Sequence, residues 1–193
     1  MKQLRNLPEP IQAVIDQLPS GLYQHIQRVR GIANRLSLNF GLDRDRIDLA
    51  AATHDIARAI PGSILLQQSL EYGISIHQIE KEFPILLHGP VGAHQLCNEF
   101  GLEDLEILEA VHWHTTGHPF MGKFGQVIFL ADKFDPAKKS RYSFIDEIQL
   151  IAEKSPSQAV RTFLARDISR LTSKGSAVHP VALATRDGII TKS

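Results

Sequence analysis

Four residues that could bind a metal interrupt apolar patterns on separate predicted helices: His25, His54, His114 and Asp132. Two more accompany them, since Asp55 directly follows His54 and His88 stands just before a Gly-Pro helix start. A single histidine on an apolar face is more often a hydrogen-bonded core residue than a ligand. Burying six ionisable groups in one small core, however, is costly unless they pair or bind a metal. Metal coordination removes that cost for all six residues together.

The residue types of this set indicate the kind of metal and the kind of reaction. Imidazole and carboxylate without thiolate suit iron, manganese, cobalt or zinc in an open catalytic site rather than a structural zinc site. His54 and Asp55 are adjacent, so their side chains diverge by about 100° on a helix. His54 could then bind one metal while Asp55 bridges to a second. Two metals about 3.5–4 Å apart can hold a hydroxide nucleophile and neutralise a phosphoryl group, which predicts hydrolysis of a P–O bond.

The elements that must position these residues are helices, because strand signals are scarce and most segments have helical periodicity. Caps are predicted at Ser20, Asp43 and Ser155, the last with Pro156 and Gln158. The predicted helices run from about Glu9 to Gln17, from Ser20 to Leu36, from Asp43 through His54 to Ala57, from Ile64 to Tyr72, from Pro90 to Asn98, from Leu105 to His114, from Phe124 to Phe134 and from Ser155 to Leu171.

One all-α domain over residues 1–193 is therefore expected, with a core of about 20–172 and an irregular C-terminal tail over 173–193. The segment from His77 to Leu87 is ambiguous, and the chain after Gly175 has no clear period.

Composition narrows the class of protein further. The chain has 193 residues, with 21 basic and 21 acidic side chains, so no bulk attraction to a nucleic-acid polymer is expected. The single cysteine, Cys97, excludes an intrachain disulfide, suits the reducing cytoplasm and is expected in the core. Lys2 and Arg5 are followed by prolines rather than by an apolar run, so no secretory signal is expected. No apolar stretch approaches the roughly 20 residues that cross a membrane.

The motifs, taken in order, resemble those of the YqeK family within the HD superfamily. His25, the run Ala52-Thr53-His54-Asp55-Ile56-Ala57-Arg58 and Asp132 give the H…HD…D pattern, which by itself is a weak discriminator. More specific are Leu87-His88-Gly89-Pro90-Val91-Gly92-Ala93, His114-Thr115-Thr116-Gly117, Met121 and Leu130-Ala131-Asp132-Lys133. The resemblance spans roughly residues 25–180. It implies a single HD-domain helical bundle with a two-metal site in its core, and an enzyme that cuts diadenosine tetraphosphate symmetrically into two ADP.

The resemblance also implies roles for particular residues. His25, His54, Asp55 and Asp132 would hold one metal, and Asp55, His88 and His114 the other. The ions would be divalent or mixed-valence, with iron as the first candidate and manganese, cobalt or zinc as alternatives. Catalytic roles are expected for Asp55, Arg58 and Lys133, and contacts to a small nucleotide for Arg58, Thr115, Thr116, Gly117, His118 and Lys133. Arg58 lies one turn beyond Asp55, where its guanidinium could clamp two phosphate oxygens.

The sequence departs from the family pattern at positions outside the six candidate ligands. The identity of the nucleotide substrate therefore stays open. Leu22 stands where an arginine is common, Asp135-Pro136 is followed by Ala137 and Lys138 instead of arginine, and His118 replaces arginine or lysine. The alternatives are a 5′-nucleotidase or other nucleoside polyphosphate hydrolase, and a non-catalytic nucleotide-sensing HD module. The intact ligand set favours an enzyme. The oligomeric state is open, with a homodimer as one alternative.

Overall fold

The computed structural model describes residues 7–189, and every regular element in that range is helical. The all-α class is therefore confirmed. None of the described helices is both long enough and apolar enough to cross a membrane. The expectation of no secretory signal rests on Lys2 and Arg5, which lie outside the described residues.

The helices of the described range follow one another with short connections. They are α1 (Glu9–Asp16), α2 (Ser20–Leu38), α3 (Arg44–Thr53), α4 (Gly62–Glu71), α5 (Gln78–Glu82), α6 (His88–Asn98), α7 (Leu105–Trp113), α8 (Lys123–Lys133), α9 (Ile145–Ala152), α10 (Pro156–Ser173) and α11 (Pro180–Gly188), with 3₁₀ turns at Pro84–Leu87 and Pro136–Lys138.

The main core lies among α2, α3, α7, α8 and α10, which pack against one another. Val29, Ile47, Val111, Ile128 and Phe163 are at most 1% exposed in this layer. Burial of each such side chain stabilises the fold by about 1.5–3 kcal/mol. This apolar layer surrounds the helix ends that carry the candidate ligands.

Two of the three predicted helix caps are confirmed. The Asp43 carboxylate accepts from the backbone N–H groups of Asp45 and Arg46, and Ser155 Oγ accepts from the N–H of Gln158. The cap predicted at Ser20 is wrong. The Pro19 carbonyl already accepts from the next turn, so Ser20 lies inside α2 and its side chain makes no cap.

The third helix is shorter than its apolar pattern predicts. It ends at Thr53, and the chain continues through tight turns in which the Arg58 N–H donates to the Asp55 carbonyl at 2.9 Å. The change from helix to tight turns places the His54-Asp55 pair at the end of α3 rather than inside it. The two central candidate ligands, His54 and Asp55, therefore lie just after a regular helix and not within it.

The expected irregular tail is also wrong, because residues 180–188 form α11. His179 Nδ1 accepts from the Val181 N–H, Pro180 is the first helical residue, and Thr185 is fully buried. A helix this short is marginal alone and is stabilised by packing on α10. Cys97 was expected in the core, but it is exposed in the last turn of α6, because its side chain diverges by about 100° from that of buried Leu96.

Candidate metal centre

The six candidate ligands predicted from the sequence converge on one site, and each is at most 8% exposed. Five helices supply these residues, and in four of them the residues lie at an end of the helix. His54 and Asp55 follow α3, His88 begins α6, His114 follows α7, and Asp132 lies in the last turn of α8. His25 comes from the middle of α2.

The two oxygens of Asp55 divide the site into two sets of ligand atoms. On one side, Asp55 Oδ2 lies 3.5 Å from Nε2 of both His25 and His54, whose Nε2 atoms are 3.3 Å apart. Asp132 Oδ1 completes this set at 3.0 Å from His25 Nε2.

On the other side, Asp55 Oδ1 lies 2.9 Å from His88 Nε2 and 3.3 Å from His114 Nε2, which are 2.9 Å apart. Ligand atoms around an ion bound at about 2.0–2.2 Å stand roughly 3.0–3.5 Å from one another. Both sets have such spacings, and each could hold a metal ion.

The proton on each histidine is directed away from the centre. Nδ1 of His54 and of His114 lies 2.7 Å from the main-chain carbonyl three residues earlier, and His88 Nδ1 makes the same kind of contact. His25 Nδ1 instead lies 2.5 Å from Asp135 Oδ2. Because each Nδ1–H has an acceptor, each Nε2 presents its lone pair to the centre. Four such lone pairs beside two carboxylates form an arrangement that a cation stabilises.

The electrostatics keep the carboxylates ionised. Burial raises the pKa of Asp55, but the neighbouring imidazoles of His54, His114 and His88 lower it more, so the pKa lies well below its usual range. Burial lowers the pKa of His114 to about 4, which keeps this imidazole neutral at neutral pH. Ionised carboxylates and neutral imidazoles are the protonation states that bind metal.

Asp132 is surrounded by two lysines that the sequence did not assign to it. Lys133 Nζ donates to Asp132 Oδ2 at 2.7 Å and to the His114 carbonyl at 3.1 Å, and Lys138 Nζ contacts Asp132 Oδ1. Burial raises the pKa of Asp132, but the two ammonium groups lower it more, to well below its usual range. Lys133 is 7% exposed and is bonded to two residues of the candidate site, and its contact with a distal phosphate stays a prediction.

Behind His25 lies an ion pair that sequence reasoning missed. Arg28 donates to Asp135 through Nε at 2.6 Å and Nη2 at 2.9 Å, and Asp135 in turn contacts His25. The spacing carried a signal for Arg28 alone, which is three residues after His25 in α2 and so lies one turn from a candidate ligand; Asp135 lies beyond the end of α8, and only packing places it behind His25. Asp135 had been noted only as a departure from the family pattern.

The remaining predicted substrate contacts lie on turns around the site. Thr115 Oγ1 is 3.2 Å from His114 Nε2, and Thr116 Oγ1 donates to the Gly117 carbonyl. Gly117 has φ +74°, and a Cβ there would lie 2.7 Å from Cγ2 of Thr185 in α11. Helix α11 therefore covers the open side of Gly117. Arg58 is exposed and forms no ion pair with a described residue.

Comparison with known proteins agrees with this fold and shows the family. The family model of the HD domain matches residues 22–137, and the chain belongs to this family. With its His/Asp cluster, the chain is an HD-domain protein equipped to bind divalent metal ions.

Two relatives narrow the comparison further. The chain is 30% identical to the symmetrical bis(5′-nucleosyl)-tetraphosphatase of Bacillus subtilis (strain 168), over 97% of this chain and 100% of the relative. It is 29% identical to a protein of the same name from Halalkalibacterium halodurans, over 96% of this chain and 97% of the relative. The family resemblance drawn from the motifs is thereby confirmed.

A solved structure has the same fold. It is described as a predicted HD superfamily hydrolase involved in NAD metabolism from Clostridium acetobutylicum. The TM-score is 0.88 at 23% identity, and the match covers 99% of this chain and 100% of the other.

Proposed function

We propose that this protein hydrolyses dinucleoside tetraphosphates symmetrically, converting diadenosine tetraphosphate into two ADP. The observation that carries the proposal is the position of Asp55, because its two carboxylate oxygens face two separate sets of candidate ligands. Two relatives of nearly the same length bear the name of this activity, which supports the substrate class. The partner is thus a small nucleotide rather than a polymer.

The ligand atoms suit two divalent or mixed-valence ions. His25, His54, Asp55 and Asp132 would hold one, and Asp55, His88 and His114 the other. Nitrogen and oxygen donors without sulfur favour iron, with manganese, cobalt or zinc as alternatives. When bound, such ions lower the pKa of water and polarise phosphate oxygens.

The chain's own residues position the ligands and the substrate. Lys133 holds Asp132 and the His114 carbonyl, and the main-chain carbonyls behind three histidines fix their ring orientation. Exposed Arg58 is available to clamp a phosphate outside the ligand set, and Thr115 stands beside His114 for a further phosphate contact. Symmetric cleavage requires an inner phosphate at the centre, while Arg58 and Thr115 would hold the neighbouring phosphates.

The test is product analysis with the metal-loaded protein. Diadenosine tetraphosphate should give ADP alone, and water labelled with heavy oxygen should place the label in ADP. Protein treated with chelator, and the Asp55→Ala variant, serve as controls without turnover.

Other products would contradict the proposal in distinct ways. AMP plus ATP would mean attack at an outer phosphate. Rapid phosphate release from mononucleotides, without cleavage of dinucleotides, would indicate a nucleotidase. Tight nucleotide binding by metal-loaded protein without any turnover would indicate a sensing module.

A further inference from the structure

A cleft of about 260 Å³ runs along one side of α7 and reaches the last residue of that helix. Its wall includes Trp113, the residue directly before the site residue His114. The other walls come from the chain between α7 and α8 and from the start of α8, and they include Glu109, His118, Phe120, Met121 and Phe124. Of these lining residues, His118 alone has been given a role above, as an expected contact to the nucleotide.

The aromatic rings of the cleft form a continuous surface. The rings of Trp113 and His118 lie 4.6 Å apart with 30° between their planes, and the rings of His118 and Phe120 lie 5.6 Å apart. Phe120 is 77% exposed, which is costly for a large apolar side chain without a function. Proteins that hold nucleotide bases use such aromatic faces, because every base has a flat face that stacks.

The charges of the cleft select against phosphate. Its wall includes the carboxylates of Glu106 and Glu109, and no lysine or arginine is among its described lining residues. Glu106 is paired with Arg46 at 2.8 Å, whereas Glu109 forms no ion pair with any described residue. A carboxylate accepts hydrogen bonds from the exocyclic amine of a base. The cleft is therefore suited to an uncharged, amine-bearing aromatic ring.

The position of the cleft matches the shape of the proposed substrate. In symmetric cleavage two phosphates and a ribose separate each base from the broken bond, so a base cannot lie among the ligands. From Trp113 to Glu106 the cleft extends about 10 Å along α7, away from His114. Thr115, 3.2 Å from His114 Nε2, lies on the loop that joins the centre to this aromatic wall.

We infer that this cleft binds one nucleobase of the nucleotide substrate, stacked on the exposed ring of Phe120 and bordered by Trp113, with Glu109 accepting from its exocyclic amine. The inference rests on the proposed function for the position of the phosphates. It gives His118, predicted from the sequence as a substrate contact, a place in the wall of the base site rather than at the reacting phosphate.

The first test uses binding without hydrolysis. Trp113 is the only tryptophan in the chain, so its fluorescence reports directly on the cleft. Adenosine should quench it saturably, and inorganic pyrophosphate, which lacks a base, should not. Phe120→Ala should weaken adenosine binding by about 5–150-fold, the usual loss on removing a stacking partner. Leu150→Ala, which shortens an equally exposed side chain on α9, should bind adenosine as the unchanged protein does.

The second test concerns the amine. Inosine carries a carbonyl where adenosine carries the exocyclic amine, so the unchanged protein should prefer adenosine. Glu109→Gln should reduce that preference by about 10-fold, because the neutral amide oxygen accepts from the amine more weakly than a carboxylate and the amide NH2 can donate to the carbonyl of inosine. If Glu109→Gln prefers adenosine over inosine as strongly as the unchanged protein does, Glu109 does not contact the amine.

The outcomes separate this inference from the proposed function. Adenosine that leaves the fluorescence unchanged, or binds Phe120→Ala as tightly as the unchanged protein, overturns the base site even if diadenosine tetraphosphate is cleaved to ADP. Phe120-dependent quenching in a protein that cannot cleave dinucleotides supports the base site and contradicts the proposed function.

Discussion

Replacing Asp135 with asparagine should weaken metal binding at one set of ligands while leaving the fold intact. Asparagine has nearly the same size, and its oxygen can still accept from His25 Nδ1. The variant loses the negative charge that makes the His25 ring a stronger ligand, and it loses the ion pair with Arg28. Burial raises the pKa of Asp135, but Arg28 and His25 lower it to about 2. The charge is therefore present throughout the neutral range.

The expected size of the effect follows from this position behind a ligand. Loss of such a supporting carboxylate costs about 10–100-fold in metal affinity, or about 1.4–2.7 kcal/mol. The effect on the free energy of unfolding should be smaller. The Arg28 side chain is 37% exposed and returns to water, and a pair of this kind contributes about 1 kcal/mol or less.

The assay is metal content per chain after dialysis against increasing chelator. Asp135→Asn should lose one ion at a lower chelator concentration than the unchanged protein, while the set around His88 and His114 keeps the other. Asp146→Asn, which removes an exposed carboxylate paired with Lys139, should match the unchanged protein. If Asp135→Asn keeps both ions to the same chelator concentration and unfolds at the same urea concentration, the reasoning is refuted.

Three further predictions concern the bridge, the α5 cap and the loop under α11. Asp55→Ala should lower hydrolysis by several orders of magnitude while the far-UV circular dichroism stays helical, because the only carboxylate shared by both sets is gone. At the cap of α5, Glu80 accepts from the backbone N–H of the cap residue His77 at 2.7 Å. Burial raises the pKa of Glu80, but His179 and this hydrogen bond lower it more, so its stabilising contribution is full above about 4.5 and is lost as pH falls through the lower folded value. Glu80→Gln should therefore lower the free energy of unfolding in urea by about 1 kcal/mol at neutral pH, and by less in acid. Gly117→Ala should destabilise more than Gly41→Ala, because both have positive φ, worth about 1–2 kcal/mol, but only Gly117 meets another side chain.

Each of these has a result that would contradict it. Near-normal turnover by metal-loaded Asp55→Ala would exclude the bridging role. A Glu80→Gln deficit that stays constant from neutral pH into strong acid would show that the charge is irrelevant. Equal losses in the two glycine variants would mean that α11 does not press on the loop.

Much of the candidate site could be predicted from the sequence because it depends on local patterns. Helical periodicity marks which face is buried, so a histidine or aspartate on that face is conspicuous wherever it stands in the chain. The caps at Asp43 and Ser155 are local as well, since each side chain bonds a backbone N–H two or three residues on. The all-α class and four of the candidate ligands, His25, His54, His114 and Asp132, were predicted in this way; Asp55 and His88 depended on neighbouring residues and on the family resemblance.

The tertiary structure decided what depends on helices that are distant in the sequence. Which oxygen of Asp55 faces which histidine pair follows from the packing of α2, α6 and α7 around the end of α3. Lys133 follows the ligand Asp132 directly, yet only packing directs its ammonium back to Asp132 and the His114 carbonyl. Helix α11 has too weak a period to be predicted, because its stability comes from α10 and the loop it covers. Residue types and faces are properties of a segment, whereas distances between segments depend on how the whole core packs.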